Sequence, residues 1–175
     1  MLAARGAEVI GLDISDAMLS QGREKAWAAG VAERTEFIRG DAARLPFPDD
    51  HFDAVLAMRF FHLIPNPDRY LEEIRRVTTD QLIFDTFNTP STRTAYNWLL
   101  PMGSRLYDDS DVRTMLERTG YRLTGSSHDF LLPYGLYRAI PRAVADGLYR
   151  IESGLRHTEL GDGLASVSYW NAHIR

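Results

Sequence analysis

Two acids stand at the ends of two short apolar runs. Glu8 to Ile14 reads Glu-Val-Ile-Gly-Leu-Asp-Ile, a strand closing on Asp13. Glu36 to Ala42 reads Glu-Phe-Ile-Arg-Gly-Asp-Ala, a second strand closing on Asp41, with a helix-like stretch between the two. In an open α/β sheet, ligands bind beyond the carboxyl ends of the strands. A carboxylate at Asp13 can there accept hydrogen bonds from both hydroxyls of a ribose. One strand over, Asp41 can accept from the amino group of an adenine, while the Ala42 N–H donates to a ring nitrogen. Each acid also has a plain reading, as a helix-capping or loop aspartate. Two acids on neighbouring strand ends, separated by one helix, are more specific than either alone.

Other residues carry weaker signals. His62 follows a strand end and suits a general base facing a substrate, or a packed, hydrogen-bonded structural histidine. Arg59 suits an acidic substrate or a surface carboxylate. Asp85 and Asn88 close a later strand, although Asn88 also suits the start of a loop. Tyr134, Tyr137 and Tyr149 suit a lid or core packing. His51 lies in an acidic turn and is expected at the surface. The five histidines show no metal-ligand spacing, and the absence of cysteine excludes disulfides, thiolate nucleophiles and thiolate metal sites.

These residues need a framework to position them. Residues 2–5 read as the end of a helix stopped by Gly6. After the Glu8–Leu12 strand, Ser15 caps a helix that carries Met18, Leu19, Gly22 and Ala26 on one face and stops at Gly30. The strand Thr35–Arg39 follows, then the turn-rich Leu45–His51 and the strand Phe52–Met58. Asn66 followed by Pro67 starts a helix with Tyr70, Leu71, Ile74 and Val77 in helical period. A strand from Gln81 to Phe87 leads into an irregular aromatic stretch to Leu106. A helix Asp108–Thr119 ends at Gly120. A strand lies within Tyr121–Leu132, an amphipathic segment spans Tyr134–Leu155, and Ala165–Ile174 is the last strand. Alternating strands and helices predict an α/β, mostly parallel sheet in one domain. The last two strands are placed as an antiparallel hairpin, with 130–155 a lid or insertion in their connection.

Composition narrows the function classes. The 175 residues are 45% hydrophobic and 25% charged, the balance of a globular chain with a real core. A net charge of −4 gives no basic field for nucleic acid. No apolar run approaches the roughly 20 residues of a membrane span, and the start has no signal-peptide pattern. A cytoplasmic location is the default expectation, and the oligomeric state is left open.

The run Gly40-Asp-Ala-Ala-Arg-Leu-Pro-Phe-Pro-Asp-Asp-His-Phe-Asp-Ala-Val55 resembles the class I S-adenosylmethionine-dependent methyltransferases, most of all their small-molecule and quinone-precursor branch. Leu12-Asp-Ile-Ser15 with Ala17-Met-Leu19 is similar to that family's segment after its glycine-rich turn. Phe61 to Pro67, followed by Leu71 to Val77, is similar to the segment after its fourth strand. The resemblance is close over residues 1 to about 88. It implies a Rossmann-like methyltransferase sheet with S-adenosylmethionine as cofactor. Asp13 would hold the ribose, Ile14 and Met18 the adenine faces, and Asp41 and Ala42 the adenine edge, with the Met58 backbone near the methionine part. The family's first strand and its Gly-x-Gly-x-Gly turn have no counterpart here. That implies an N-terminally truncated chain lacking about 35 to 60 residues, a strand, a loop and one or two helices of ordinary length. The expected activity is methyl transfer to a small molecule, with the truncated chain itself inactive or weak. Two alternatives stay open: a non-catalytic remnant or binding module, and a nicotinamide-dependent dehydrogenase fragment. Lys25 is the only lysine and Gln21 stands four places before it, so the dehydrogenases that use a Tyr-x-x-x-Lys pair are excluded.

Overall fold

The computed structural model describes residues 2–89, 91, 94, 104–129, 140–155 and 165–175. The chain divides into two compact units, Met1–Asp49 and Asp50–Arg175.

The first unit is a strand–helix–strand. The turn Ala3–Arg5 is closed by Gly6 at φ 98°, a conformation that costs glycine little. Strand β1 (Val9–Asp13) and strand β2 (Thr35–Arg39) pair in parallel, with Val9 opposite Thr35 and Asp13 opposite Arg39. Helix α1 (Asp16–Ala28) connects them and starts where expected, the Ser15 side chain accepting from the Met18 N–H at 3.4 Å. Leu19 and Ala26 are buried, but Met18, placed on the same face by its spacing, is 55% exposed. The helix approaches the sheet closely because the Phe37 ring lies against Gly11 and Gly22, where any Cβ would collide with it.

The second unit is a four-stranded mixed sheet in the order β3-β4-β6-β5. Strand β3 (Phe52–Ala57) pairs in parallel with β4 (Thr78–Phe87), and between them runs helix α2 (Pro67–Val77). Helix α3 (Asp109–Arg118) precedes β5 (Tyr121–Asp129), and helix α4 (Arg142–Leu155) precedes β6 (Val167–Ile174). The expected antiparallel pairing of the last two strands is present, and β6 also runs antiparallel to β4. It therefore lies between β4 and β5, and the connection carrying α4 is an excursion inside that hairpin.

Hydrophobic spacing builds this core. Leu71, Ile74 and Val77 repeat on one face of α2 and are buried, as are Val112, Met115 and Leu116 of α3. Leu82, Phe84 and Trp170 of the sheet are buried too, each such side chain contributing about 1.5–3 kcal/mol on burial. Strand β4 begins three residues earlier than its apolar pattern suggests. Thr78 closes α2 by donating from Oγ1 to the Ile74 carbonyl at 2.6 Å, and two β-branched threonines pass directly into the strand. Asn66 is the N-cap of α2 without a side-chain capping bond, so Pro67 supplies the start signal.

Among the described residues, β1 is laddered on one side only, to β2, and β3 on one side only, to β4. No helix among them is long and apolar enough to cross a membrane.

Candidate functional site

In the first unit, the parallel register brings the two acids to one sheet edge. Asp13 ends β1 opposite Arg39, and the Gly40 N–H donates to the Asp13 carbonyl at 3.1 Å, so Asp41 lies two residues beyond at the same carboxyl edge. Asp13 Oδ1 accepts from the Ser15 N–H at 2.8 Å, which shapes the turn into α1. Asp13 Oδ2 makes no hydrogen bond among the described residues and remains an acceptor. Beside it, Ile14 is 70% exposed and Met18 is 55% exposed, two apolar side chains held in solvent next to a carboxylate. Asp41 Oδ1 accepts from the Ala43 N–H at 2.9 Å and the Asp41 carbonyl from the Arg44 N–H, a tight local turn. The loop role expected as an alternative for Asp41 is thus realised in one oxygen. Ala42 is half-buried in the same turn.

Arg39 was missed in the sequence. Its Nε donates to the Ile14 carbonyl at 3.2 Å and its guanidinium meets Asp16 at 3.2 Å, pinning the turn that presents Ile14. The only advance signal is its place as the last residue of β2, and a lone arginine there reads as a surface charge.

The second unit holds Met58, Arg59, His62, Asp85 and Asn88. Met58, just past β3, is 43% exposed. Arg59 has φ 58°, the left-handed region, and its N–H donates to Asp85 Oδ1. Its Nε lies 3.5 Å from Asp85 Oδ2. Its partner is therefore a buried carboxylate, not a surface one. His62, in the turn Phe61–Leu63, has its ring 4.2 Å from that of Phe87, centroid to centroid, and its carbonyl accepts from the Arg105 N–H.

Asn88 is buried within its own network. Its Nδ2 donates to the Ala165 carbonyl at 3.0 Å and to Ser168 Oγ at 2.6 Å, while its N–H donates to the Ser166 carbonyl. Ser168 in turn bonds His128 Nδ1 across the β5–β6 ladder. Tyr169 stands directly opposite Asp85 in the β4–β6 register. Burial raises its phenol above the ordinary range, with smaller pushes from Asp129 and Asp85 against the pull of Arg59. Neither His128 nor Tyr169 could be singled out beforehand, because strand register across forty or more residues is absent from local pattern. Tyr134 and Tyr137 lie outside the described residues, as does most of the segment before Arg142; Tyr149, in α4, is half exposed. Among the described residues, no cluster of three or more histidine or carboxylate side chains could hold a metal.

Comparison with known proteins bears on what these edges belong to. Residues 1–81 match the family model described as a methyltransferase domain. A sterol 24-C-methyltransferase of Gibberella zeae is 30% identical over 132 residues, 75% of this chain and 32% of that protein. A ubiquinone/menaquinone biosynthesis C-methyltransferase of Brucella canis is 29% identical over 141 residues, 81% of this chain and 50% of that protein. A S-adenosylmethionine-dependent methyltransferase structure from Methanosarcina mazei superimposes with TM-score 0.71 at 16% identity, covering 99% of this chain and 84% of the other. This is the class I methyltransferase fold. The chain spans about a third to a half of the length of these curated relatives. A magnesium protoporphyrin IX methyltransferase from Synechocystis, solved with S-adenosylhomocysteine, also shares the methyltransferase fold, with TM-score 0.68 at 15% identity over 99% of this chain and 67% of that one. So does a cyclase, with TM-score 0.67 at 20% identity over 99% and 68%.

Proposed function

We propose that the protein transfers the sulfonium methyl group of S-adenosylmethionine to a small-molecule acceptor. One observation carries the reading. Asp13 offers an acceptor oxygen at a strand's carboxyl edge, flanked by the exposed apolar Ile14 and Met18, within the segment that matches the methyltransferase domain.

These residues fit the cofactor chemically. A carboxylate oxygen suits paired ribose hydroxyls, and two apolar side chains suit the faces of a purine. The Asp41 turn suits the purine edge. Bound there, S-adenosylmethionine would supply an electrophilic methyl group whose bond to sulfur breaks as the bond to the acceptor forms. The chain's own task is alignment and exclusion of water, which explains why no catalytic triad is needed. Met58 is proposed to contribute backbone near the methionine part. His62 is the candidate base for an acceptor that must lose a proton.

The sterol and quinone-precursor methyltransferases among the relatives support a small, largely apolar acceptor over a nucleic acid. The cyclase of similar fold is the counterweight, since a fold hosts several chemistries.

Calorimetric titration of S-adenosylhomocysteine into the protein and into its Asp13→Ala variant tests the proposal. Loss of a charged acceptor is worth about 1.5–3 kcal/mol, so affinity is expected to fall tenfold or more in the variant. Equal affinity in both removes Asp13 from the site.

A further inference from the structure

Asp85 is a buried carboxylate with half of its hydrogen bonding unmet. It is 1% exposed, and its Oδ1 accepts the Arg59 N–H. Its Oδ2 is shut off from solvent and has no hydrogen bond; among the described residues it forms an ion pair with Arg59 Nε at 3.5 Å. Buried carboxylates are normally paired and fully bonded, so this one is organised around a single arginine.

That arginine is held under strain. Arg59 adopts φ 58° just beyond β3, a conformation unfavourable for a residue with a Cβ, and such conformations persist where the surroundings over-determine them. Asp85 does so twice, through the Arg59 main-chain N–H and through Nε. The Arg59 side chain is nevertheless 56% exposed. Its close approach to Asp85 runs through Nε, and the terminal Nη pair, the fork that grips an oxyanion through parallel bonds, makes no hydrogen bond among the described residues. Tyr169, cross-strand from Asp85, is half-buried; its phenol, raised by burial and felt by Arg59, carries its proton at neutral pH and is an O–H donor on the strand facing Asp85. Asp129 also acts on Tyr169, so the patch has no net positive field. Selectivity here comes from the directed fork and hydroxyl.

We propose that Arg59, positioned by Asp85 and assisted by Tyr169, receives an oxygen anion of the methyl acceptor, a carboxylate or an ionised enol or phenol. The word acceptor rests on the methyl-transfer reading; the anion site does not. Asp85 is a positioning residue, and Arg59 makes the contact.

The probes are 2-naphthoate and its uncharged near-isostere 2-naphthamide, titrated at neutral pH and followed by NMR. The full chain is expected to bind the acid about tenfold or more tightly than the amide, the scale of a charge-assisted contact. The preference should fall to near parity in Arg59→Gly, which meets φ 58° without strain. Arg59→Lys should retain part of it. Asp85→Asn should lower the ratio as well, a change that a merely structural Asp85 would not cause. Parity in the unmodified protein, or a preference that survives Arg59→Gly, overturns the proposal. Titrating S-adenosylhomocysteine into the same samples separates the two readings. An acid preference without cofactor binding sinks methyl transfer alone, and cofactor binding without an acid preference sinks the anion site alone.

Discussion

At the scale of single residues, the candidate side chains divide by what already occupies them. Asp13 keeps an acceptor oxygen, whereas Asn88 spends its amide on the Ala165 carbonyl and Ser168. Removing the Asn88 amide would take this donor from the Ala165 carbonyl and break the buried link to Ser168. Asn88→Ala is therefore expected to lower unfolding free energy by about 1–3 kcal/mol in urea titration, with little effect on ligand affinity. A variant of undiminished stability that loses acceptor binding would return Asn88 to the substrate site. Asp13 and Asp41 were legible in the sequence because each ends an apolar run, and a strand's carboxyl end is where ligands gather. Tyr169 was not, since what gives it interest is Asp85 across the ladder, 84 positions away.

At the scale of elements, termini are governed by local chemistry and read well. Ser15 caps α1 as its type and place suggest, and Asp108 caps α3 in a reciprocal box with Asp111. The Ser110 hydroxyl, and then the Asp111 N–H, hold the Asp108 carboxyl below its ordinary value near 3.8. A carboxyl depressed in the folded state adds stability that is complete above its unfolded value and lost as pH falls through its folded one. Thermal melts from neutral to strongly acidic pH should show this loss in the native chain. Asp108→Asn, which retains a capping oxygen without the titrating charge, should be flatter over that limb. Identical acid limbs would mean that the cap's charge contributes nothing. Element lengths were less legible. Strand β4 starts at Thr78 because a helix-closing threonine also opens the strand, and periodicity alone gives no boundary there.

At the scale of the whole molecule, the ladders are the feature with consequences. Strands β1 and β3 are each paired on one side among the described residues, and an open strand edge presents unpaired N–H and C=O groups. Open edges of this kind template pairing with another strand, so the chain is expected to self-associate as its concentration rises. Sedimentation across a concentration series checks this, and a constant monomer would refute it.

The sequence by itself determined the α/β class, the parallel β1–β2 unit with its two acidic ends, the cap of α1, and the resemblance to methyltransferases. All of these are written within short windows, as apolar period, capping residues and a contiguous motif from Gly40 to Val55. Only the tertiary structure decided that β6 lies between β4 and β5, that Asn88 is a buried anchor, and that Arg59 is strained onto Asp85 beside Tyr169. These depend on pairing between residues tens of positions apart, and on burial, which removes water as the competing partner. A local pattern carries neither quantity.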